Sequence, residues 1–390
     1  MTEGIDWYFD ALPGSAFAEA LRELRQTGPF VATTALGGAL PIYYVVGYHA
    51  LAEAFRDGER FPPAHAYQII SQPYIGETFM SMEEARHGEW RPPMMTLFRR
   101  RAIDALADAE LAKIAHELLD AVANSGGADL VPSYTHRFAF AVICRQLGLP
   151  RDREAQFYEW SIDLMFGGRD AEKSRRADAA LTSYVLPVVE ARRHEPQSDA
   201  ISDWIAKEVR GEPVSDEAIL AHIRLVFTAG ATTTSDALGN LVHALLTHKG
   251  AWEAVTQEPE RCEDAVQELL RWNPPVAAQP RFARPDRDIE LTGVPIPANS
   301  AVLFGISAAH RDPAAFPNPD QFDLERRPTE LLTFGPGLRT CPGMHLAQKN
   351  LRVGLRALAE RLPGLELEEP EADSPLGILL RGPTALRARW

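Results

Sequence analysis

The sequence predicts a mainly α-helical fold with small β-sheets, an α+β arrangement, in a single domain over residues 1–390. Apolar residues recur every three or four positions through most of the first two thirds of the chain, which is the period of an amphipathic helix. Short β-rich and Pro-rich pieces interrupt this pattern and dominate after residue 274. No Gly-rich or Pro-rich stretch is long enough to separate two domains, so one large core is expected.

The predicted helices follow from apolar spacing and from capping residues. The longest begins after Ser215, an N-cap followed by two acidic residues, and ends near His248, before Gly250. At 1.5 Å per residue it would be roughly 50 Å long. A small, hydroxyl-rich stretch at 229–236 interrupts its apolar positions. The other helices are predicted at 15–25, 104–124, 130–148, 153–166, 175–193 and about 343–361.

Strands and breaks are predicted from residue type. Residues 41–46 (PIYYVV) are typical of a strand, 282–330 alternate short strands with irregular chain, and 377–389 predict a final β segment. Pro92 and Pro93 follow Arg91 directly, and proline inside a helix removes backbone donors and clashes with the preceding turn. A helix is therefore expected to begin or kink near Arg91.

Charge excludes some classes of partner. The chain has 40 basic and 54 acidic residues, a net charge of −14, which argues against general binding to nucleic acid or to anionic membranes. Charged residues also interrupt the apolar residues of 1–24, so we expect neither a signal peptide nor a membrane span there. These observations predict a cytoplasmic protein.

The three cysteines, Cys144, Cys262 and Cys341, are too far apart for a disulfide framework or a CxxC zinc site. Cys341 stands on a glycine-rich turn directly before a helix, where backbone N–H groups and the helix dipole stabilise a thiolate. Such a thiolate could be a nucleophile with His345 as its base, a redox sensor or a single axial metal ligand. A buried structural cysteine is the fourth possibility.

The segment 334–343, FGPGLRTCPG, resembles the FGxGxRxCxG cysteine loop of the cytochrome P450 superfamily at every fixed position. The resemblance continues upstream in the family's order and covers at least residues 87–386. Its other motifs are the ExxR pair at 268–271, Arg281, HRDP at 310–313 and FDLER at 322–326.

The resemblance implies haem b, with Cys341 as the axial iron ligand, in a triangular domain that holds the haem between the long central helix and the helix after the cysteine loop. Arginines bind carboxylates through forked hydrogen bonds, which suits the haem propionates. The residues assigned to haem in this way are Phe334, Gly335, Gly343, His87 and Arg91 (an HxxxR motif), Arg281, Arg339, and Ala229 and Gly230 on the opposite face. The family's structural network would join Glu268 and Arg271 to Arg326.

The small, hydroxyl-rich stretch of the central helix resembles the family's oxygen-binding segment. Gly230 would let the helix bulge, and Thr233 would hydrogen-bond bound oxygen. Position 232, an acid in the family pattern, is threonine here. We therefore expect a proton relay through Thr232, Thr233 and water, in which Asp236, one turn further on, replaces the missing carboxylate.

The substrate pocket is expected to be apolar and aromatic, which predicts a small hydrophobic substrate. Gln279 and His65 are the two candidate polar anchors. The segments that shape the family's pocket contribute Tyr67, Tyr74, Phe79, Phe166, Val226, Val276 and Ala277.

Together the motifs predict a monomeric monooxygenase that uses O2 and receives electrons from NAD(P)H through a ferredoxin or flavodoxin and its reductase. A basic docking patch is expected from Arg99, Arg100, Arg101, Lys349 and Arg352. Three alternatives remain at this point: a peroxide-using or isomerising haem-thiolate enzyme, a non-catalytic haem or ligand-binding protein, and a cysteine nucleophile without haem.

Overall fold

Helices that bury one face form most of the molecule. The structure, a computed structural model, describes residues 11–35, 40–328 and 330–390, so residues 1–10 of the N-terminal segment discussed above lie outside the described residues. About 54% of the chain is helical, which confirms the predicted mainly α fold. The helices are α1 Gly14–Gln26, α2 Tyr48–Arg56, α3 Pro63–Ile70, α4 Gln72–Ile75, α5 Glu84–Met94, α6 Arg100–Ala105, α7 Asp108–Asp120, α8 His136–Leu147, α9 Glu154–Met165, α10 Ala171–His194, α11 Ala200–Ile205, α12 Asp216–Leu225, α13 Thr232–Thr247, α14 Ala251–Gln257, α15 Arg261–Trp272, α16 Ile306–Ala309 and α17 Met344–Arg361.

The predicted central helix forms as α12, a π-helical turn and α13. The Ser215 side chain caps its start by accepting a hydrogen bond from the Ala218 N–H at 3.2 Å. The π-helical turn, Val226–Ala231, overlaps the small-residue stretch that interrupts the apolar pattern. A π turn adds one residue to a helical turn and widens it, and such turns are frequent at functional sites. The interruption in the sequence therefore marks a bulge in a continuous buried helix.

The strands are short and form small sheets. The largest sheet has the order β1-β2-β9-β6, in which β2 and β9 are parallel and the other neighbours are antiparallel. The predicted strand at 41–46 is present as β2. The strands are β1 Phe30–Ala35, β2 Leu40–Val45, β3 Gly127–Asp129, β4 Glu208–Val209, β5 Glu212–Pro213, β6 Gln279–Phe282, β7 Ile289–Leu291, β8 Val294–Ile296, β9 Ala301–Phe304, β10 Glu366–Leu367 and β11 Arg387–Arg389.

Two predictions about local structure were wrong. The expected β segment 377–389 forms a strand only at β11, because Gly377 has a φ of +106° and the buried Arg381 ties the chain to Asn273 Oδ1 at 2.9 Å. Of the two alternatives predicted near Arg91, a helix start and a kink, the start is wrong, since the helix begins at Glu84. Pro92 and Pro93 occupy its last turn. The helix ends one residue after Pro93, so the missing backbone donors leave little helix beyond them to disrupt.

The largest cluster of buried side chains lies where the central helix meets its neighbours. Helix α13 packs against α8, α15 and α17, and α17 packs in turn against α7 and α15. The helix that follows the cysteine loop is thereby held against the central helix. Among the residues that the structure describes, no helix is both long and apolar enough to cross a membrane.

Candidate active site

A cavity of about 710 Å³ lies between the central helix, the cysteine loop, α3, the sheet strands β6 and β9, and the loop after α9. Its lining is mostly apolar and aromatic, and no Asp or Glu lines the part that the structure describes. The central helix contributes one face to it, at positions 225, 226, 229, 230, 233, 234 and 237. These positions recur at the three- and four-residue spacing of a single helical face.

Cys341 lines this cavity and is open toward it. Its backbone N–H donates to the Phe334 carbonyl at 2.8 Å and closes the loop, while Gly335 has a φ of +62°, in the left-handed region that favours glycine. Burial raises the pKa of the thiol, and the backbone N–H groups of Gly343 and Met344 act against this by hydrogen bonding to the sulfur. The sulfur is therefore surrounded by donors that would stabilise a thiolate bound to a metal.

His345 does not form the Cys/His pair that the sequence left open. It lies outside the cavity lining, and no hydrogen bond joins it to Cys341 among the described residues. The geometry gives the thiol no neighbouring base, which disfavours a nucleophilic cysteine.

His87 and Arg339 meet beside the cavity. Arg339 lines it and donates to the carbonyls of Phe79 at 3.0 Å and Met82 at 2.7 Å, and its Nη1 lies 2.6 Å from His87 Nδ1. His87 Nδ1 also lies 2.8 Å from the Phe79 carbonyl oxygen, so this nitrogen contacts both a donor and an acceptor. His87 Nε2 is buried and has no hydrogen-bond partner among the described residues. A buried polar atom without a partner is costly, so this nitrogen fits contact with an external polar group.

The other two candidate propionate ligands differ in position. Arg281 lines the cavity, with its guanidinium 5.4 Å from the centre of the Tyr67 ring and 5.6 Å from that of Phe304. Arg91 lies outside the cavity lining and donates instead to the carbonyls of Leu338, at 3.1 Å, and Thr340. This corrects the expectation that Arg91 points at a propionate, because the backbone of the cysteine loop takes its donors.

Thr233 lines the opposite face of the cavity, where the sequence placed it. Its hydroxyl donates to the Ala229 carbonyl at 2.7 Å, and Thr234 donates in the same way to Gly230 at 2.7 Å. Both side chains line the cavity beside the π-helical turn. The oxygen of Thr233 keeps its lone pairs available to a ligand.

Thr232 and Asp236 do not line the cavity, which corrects the expected relay through them. The Thr232 hydroxyl is buried and donates to the Thr228 carbonyl. The Asp236 carboxylate packs against Gly382, and burial raises its pKa to about 7. Successive helical residues point about 100° apart, so positions 232 and 236 lie on the flank of the face that carries Thr233.

Six of the seven residues expected in the substrate pocket line the cavity: Tyr67, Tyr74, Phe79, Phe166, Val226 and Val276. Ala277 does not, because it is fully buried in a core cluster with Ile42, Leu303 and Ile378. Of the two expected anchors, Gln279 lines the cavity, whereas His65 contacts Asn299 outside it.

The expected structural network is formed. Arg271 donates to Glu268 through two hydrogen bonds of 2.7 and 2.8 Å, and Arg326 Nε donates to the same carboxylate at 3.2 Å. Arg271 also donates to the carbonyls of His310, Pro319 and Gln321. The network thereby ties the irregular chain before the cysteine loop to α15.

The expected basic patch is smaller than predicted. Lys349 is mostly buried and donates to the carbonyls of Ile103 and Leu106, and it is 3.1 Å from Asp108. Arg352 pairs with Asp108 at 2.8 Å. Lys349 and Arg352 are thus paired within the protein, and Arg100 lies 3.7 Å from Asp104. Of the predicted patch, Arg99 and Arg101 have no acidic partner among the described residues.

Arg169 and Asn350 are two polar examples of the lining residues that were missed from the sequence. Arg169 lies in the loop after α9 with its guanidinium 5.0 Å from the centre of the Phe166 ring. Asn350 projects from α17, and its buried Oδ1 has no hydrogen-bond partner among the described residues. No motif marks either position, since both reach the cavity only through tertiary packing.

Comparison with known proteins gives matches over nearly the whole chain. The family model of cytochrome P450 matches residues 151–376. Mycinamicin IV hydroxylase/epoxidase from Micromonospora griseorubida is 31% identical over 98% of this chain and 98% of that protein. 6-Deoxyerythronolide B hydroxylase from Saccharopolyspora erythraea is 31% identical over 97% and 94%. The solved structure of cytochrome P450 CYP109Q5 from Chondromyces apiculatus is 27% identical, with a TM-score of 0.85 over 96% of this chain and 94% of that chain.

Proposed function

This chain belongs to the cytochrome P450 family and is a P450 monooxygenase, and we propose that it inserts one atom of O2 into a small hydrophobic compound with Cys341 as the axial ligand of haem b. A single observation supports this proposal most strongly. The same cavity is lined by Cys341 and by the face of the central helix that carries Thr233. In this proposal the whole chain acts as one domain, since elements from α3 to α17 line the same cavity.

The residues present fit a haem. The family implies haem and O2, and the cavity offers a lone cysteine and two arginines, one of which, Arg339, contacts His87. Cys341 would hold the iron, while Arg281, Arg339 and His87 would hold the propionates. When bound, thiolate-ligated haem activates O2, because the thiolate pushes electron density toward the iron and favours O–O cleavage.

The chain's own residues would orient the substrate and control protons. The small residues Ala229 and Gly230 leave space beside Thr233, where the π-helical turn widens the helix. Thr233 Oγ1 already donates its proton to the Ala229 carbonyl, so its oxygen would accept a hydrogen bond first and donate after rotation about χ1. With no carboxylate in the described lining, water held by Thr233 and Thr234 would supply the protons.

The proposed substrate class follows from the cavity walls. Aromatic and aliphatic side chains, among them Tyr74, Phe166 and Val226, surround the space above the cysteine loop. Such walls bind a ligand mainly by burying its apolar surface. Relatives named as hydroxylases and as a hydroxylase/epoxidase support hydroxylation or epoxidation, and O-dealkylation is the third reaction in the proposal.

A substrate screen tests this proposal. Purified ferric protein should show a shift of the Soret band on titration with hydrophobic compounds, as the substrate displaces water from the iron. The same compounds should then be oxidised with one oxygen atom from labelled O2. If compounds bind but no labelled product forms with a competent electron donor, the chain would be a non-catalytic binding protein instead.

The electron donor is proposed to be a ferredoxin or flavodoxin, reduced by NAD(P)H through its own reductase. The chain is proposed to act as a cytoplasmic monomer without a membrane or nucleic-acid partner. Arg100 and Arg101 are exposed on the side of the molecule that carries the cysteine loop, and they would attract an acidic partner. Charge reversal at Arg101 should slow the first reduction, whereas reversal at Arg175, exposed on α10, should leave it unchanged. Equal rates in both variants would exclude this docking surface.

A second candidate function is favoured by one observation. No Asp or Glu lines the described part of the cavity, and a hydroxyl cannot supply protons at neutral pH without a relay. Peroxide brings its own protons, so a peroxide-using enzyme would need no relay. Product formation with peroxide alone, at a rate above that with O2 and a reduced ferredoxin, would favour this second function.

A further inference from the structure

One wall of the cavity is polar, where α3, β6 and the cysteine loop meet. Tyr67, Gln279, Arg281 and Arg339 line it, and we call these four residues the polar corner. Gln279 Nε2 donates a hydrogen bond to the Tyr67 hydroxyl oxygen at 2.8 Å. The Arg281 guanidinium lies 5.4 Å from the centre of the Tyr67 ring, and Arg339 lines the same cavity. Tyr67, Gln279 and Arg281 therefore form one contact cluster.

The hydrogen bonds of the polar corner leave the Tyr67 hydroxyl proton unused, and Arg281 makes one hydrogen bond within the described residues, to the Pro280 carbonyl. A tyrosine hydroxyl accepts through its oxygen and has one proton to donate. Gln279 already donates to that oxygen, and the proton has no acceptor among the described residues. Arg281 and Arg339 cannot accept it, because a guanidinium carries only donors. No Asp or Glu lines the described part of the cavity, so the polar corner presents donors to an acceptor that the chain does not itself provide.

We infer that the Tyr67 hydroxyl donates a hydrogen bond to a haem propionate, and that Gln279 is the positioning residue that directs it. The inference rests on the proposed function, since it requires haem in the cavity. A propionate is a carboxylate, the acceptor that arginine forks bind best. His87, whose Nδ1 lies 2.6 Å from Arg339, contacts this wall from outside the cavity lining. Tyr67 therefore belongs with the cofactor-binding residues rather than with the substrate pocket in which the sequence placed it.

The test compares two tyrosines of the same cavity. Tyr67→Phe removes only the hydroxyl and keeps the ring under Arg281. Tyr74→Phe is the matched control, because Tyr74 lines the cavity beside the loop after α9 and no hydrogen bond of its hydroxyl is formed within the described ranges. The readouts are the rate of haem transfer from the substrate-free ferric holoprotein to excess apomyoglobin, and the ferric/ferrous midpoint potential.

Tyr67→Phe should lose haem about tenfold faster than the wild type, the size expected for a hydrogen bond to a charged group. Its potential should fall, because the propionate charge is less compensated. Gln279→Leu should accelerate haem loss by a smaller factor, since the hydroxyl is still present, and Tyr74→Phe should leave both quantities unchanged.

Unchanged haem loss in Tyr67→Phe would overturn the inference, and weaker substrate binding in that variant would then return Tyr67 to the substrate pocket. Equal acceleration in Tyr67→Phe and Tyr74→Phe would also overturn it, because that result reports a loosened cavity. Failure of the proposed function would look different, since the wild type itself would then bind no thiolate-ligated haem.

Discussion

The buried network around Glu268 gives the most quantitative prediction. The carboxylate accepts hydrogen bonds from Arg271 at 2.7 and 2.8 Å, from Arg326 at 3.2 Å and from the Asp323 N–H at 2.9 Å. The side chains of Arg271, Glu268 and Arg326 are 0%, 1% and 10% exposed. Glu268→Gln keeps the shape but removes the charge and turns an amide N–H₂ toward guanidinium donors. Two buried cations then lose their counter-charge.

The size of the effect follows from this burial. Removing one partner of a buried ion pair costs about 3–5 kcal/mol, and the low exposure leaves little room for water to compensate. A chain of 390 residues has an unfolding entropy of about 0.8 kcal/mol/K at about 2.1 cal/mol/K per residue. Glu268→Gln should therefore lower the melting temperature by roughly 4–6 °C.

Thermal unfolding followed by circular dichroism, with haem content measured on the same samples, checks this prediction. The matched control is Glu360→Gln, which breaks the pair of Arg356 and Glu360 on α17, 51% and 44% exposed. Exposed pairs contribute less than about 1 kcal/mol, so the control should melt within about 1 °C of the wild type. A Glu268→Gln protein with unchanged melting temperature and full haem content would refute this account of the network.

Three further predictions concern the active site and its flank. Thr233→Ala should leave the rate of NAD(P)H consumption unchanged but divert most of the electrons to peroxide, because the cavity loses the hydroxyl that holds protons there. An unchanged ratio of product to NAD(P)H would remove Thr233 from the mechanism. Asp236→Asn should stabilise the protein more at pH 8 than at pH 5. Burial raises the pKa of Asp236 from 3.8 to about 7, so the wild type loses stability as the pH rises through 7. Melting curves at both pH values check this, and an equal effect of the substitution at both would contradict it. Arg91→Met should slow haem incorporation by loosening the cysteine loop, as measured by haem uptake of the apoprotein, and wild-type uptake would exclude that role.

Much of the fold could be predicted because its signals are local. The central helix followed from the Ser215 cap and apolar spacing, and the π-helical turn falls where small residues interrupt that spacing. The cysteine loop and the network of Glu268 and Arg271 could be predicted because their members lie on recognisable motifs. Local signals failed at Pro92, where the position of a proline within its helix decides its effect.

Side-chain direction and long-range contact could not be predicted. Asp236 was assigned to a relay by its spacing from Thr232. It lies on the flank of the helix beside the face that carries Thr233, and there it packs against Gly382. Ala277 was assigned to the pocket by its segment, but it packs in the core with residues that are distant in the sequence, among them Ile42 and Ile378. The bond between Gln279 and Tyr67 joins residues 212 positions apart, and no pattern in the sequence connects them.

The central claim is that Cys341 holds a haem iron through its thiolate. The ferrous-CO difference spectrum of the purified protein, compared with that of Cys341→Ser, tests it most directly. The wild type should show the red-shifted Soret band of thiolate-ligated haem, and the variant should lose that band while keeping its fold by circular dichroism. A wild-type spectrum without haem, or a thiolate band that persists in Cys341→Ser, would contradict the claim.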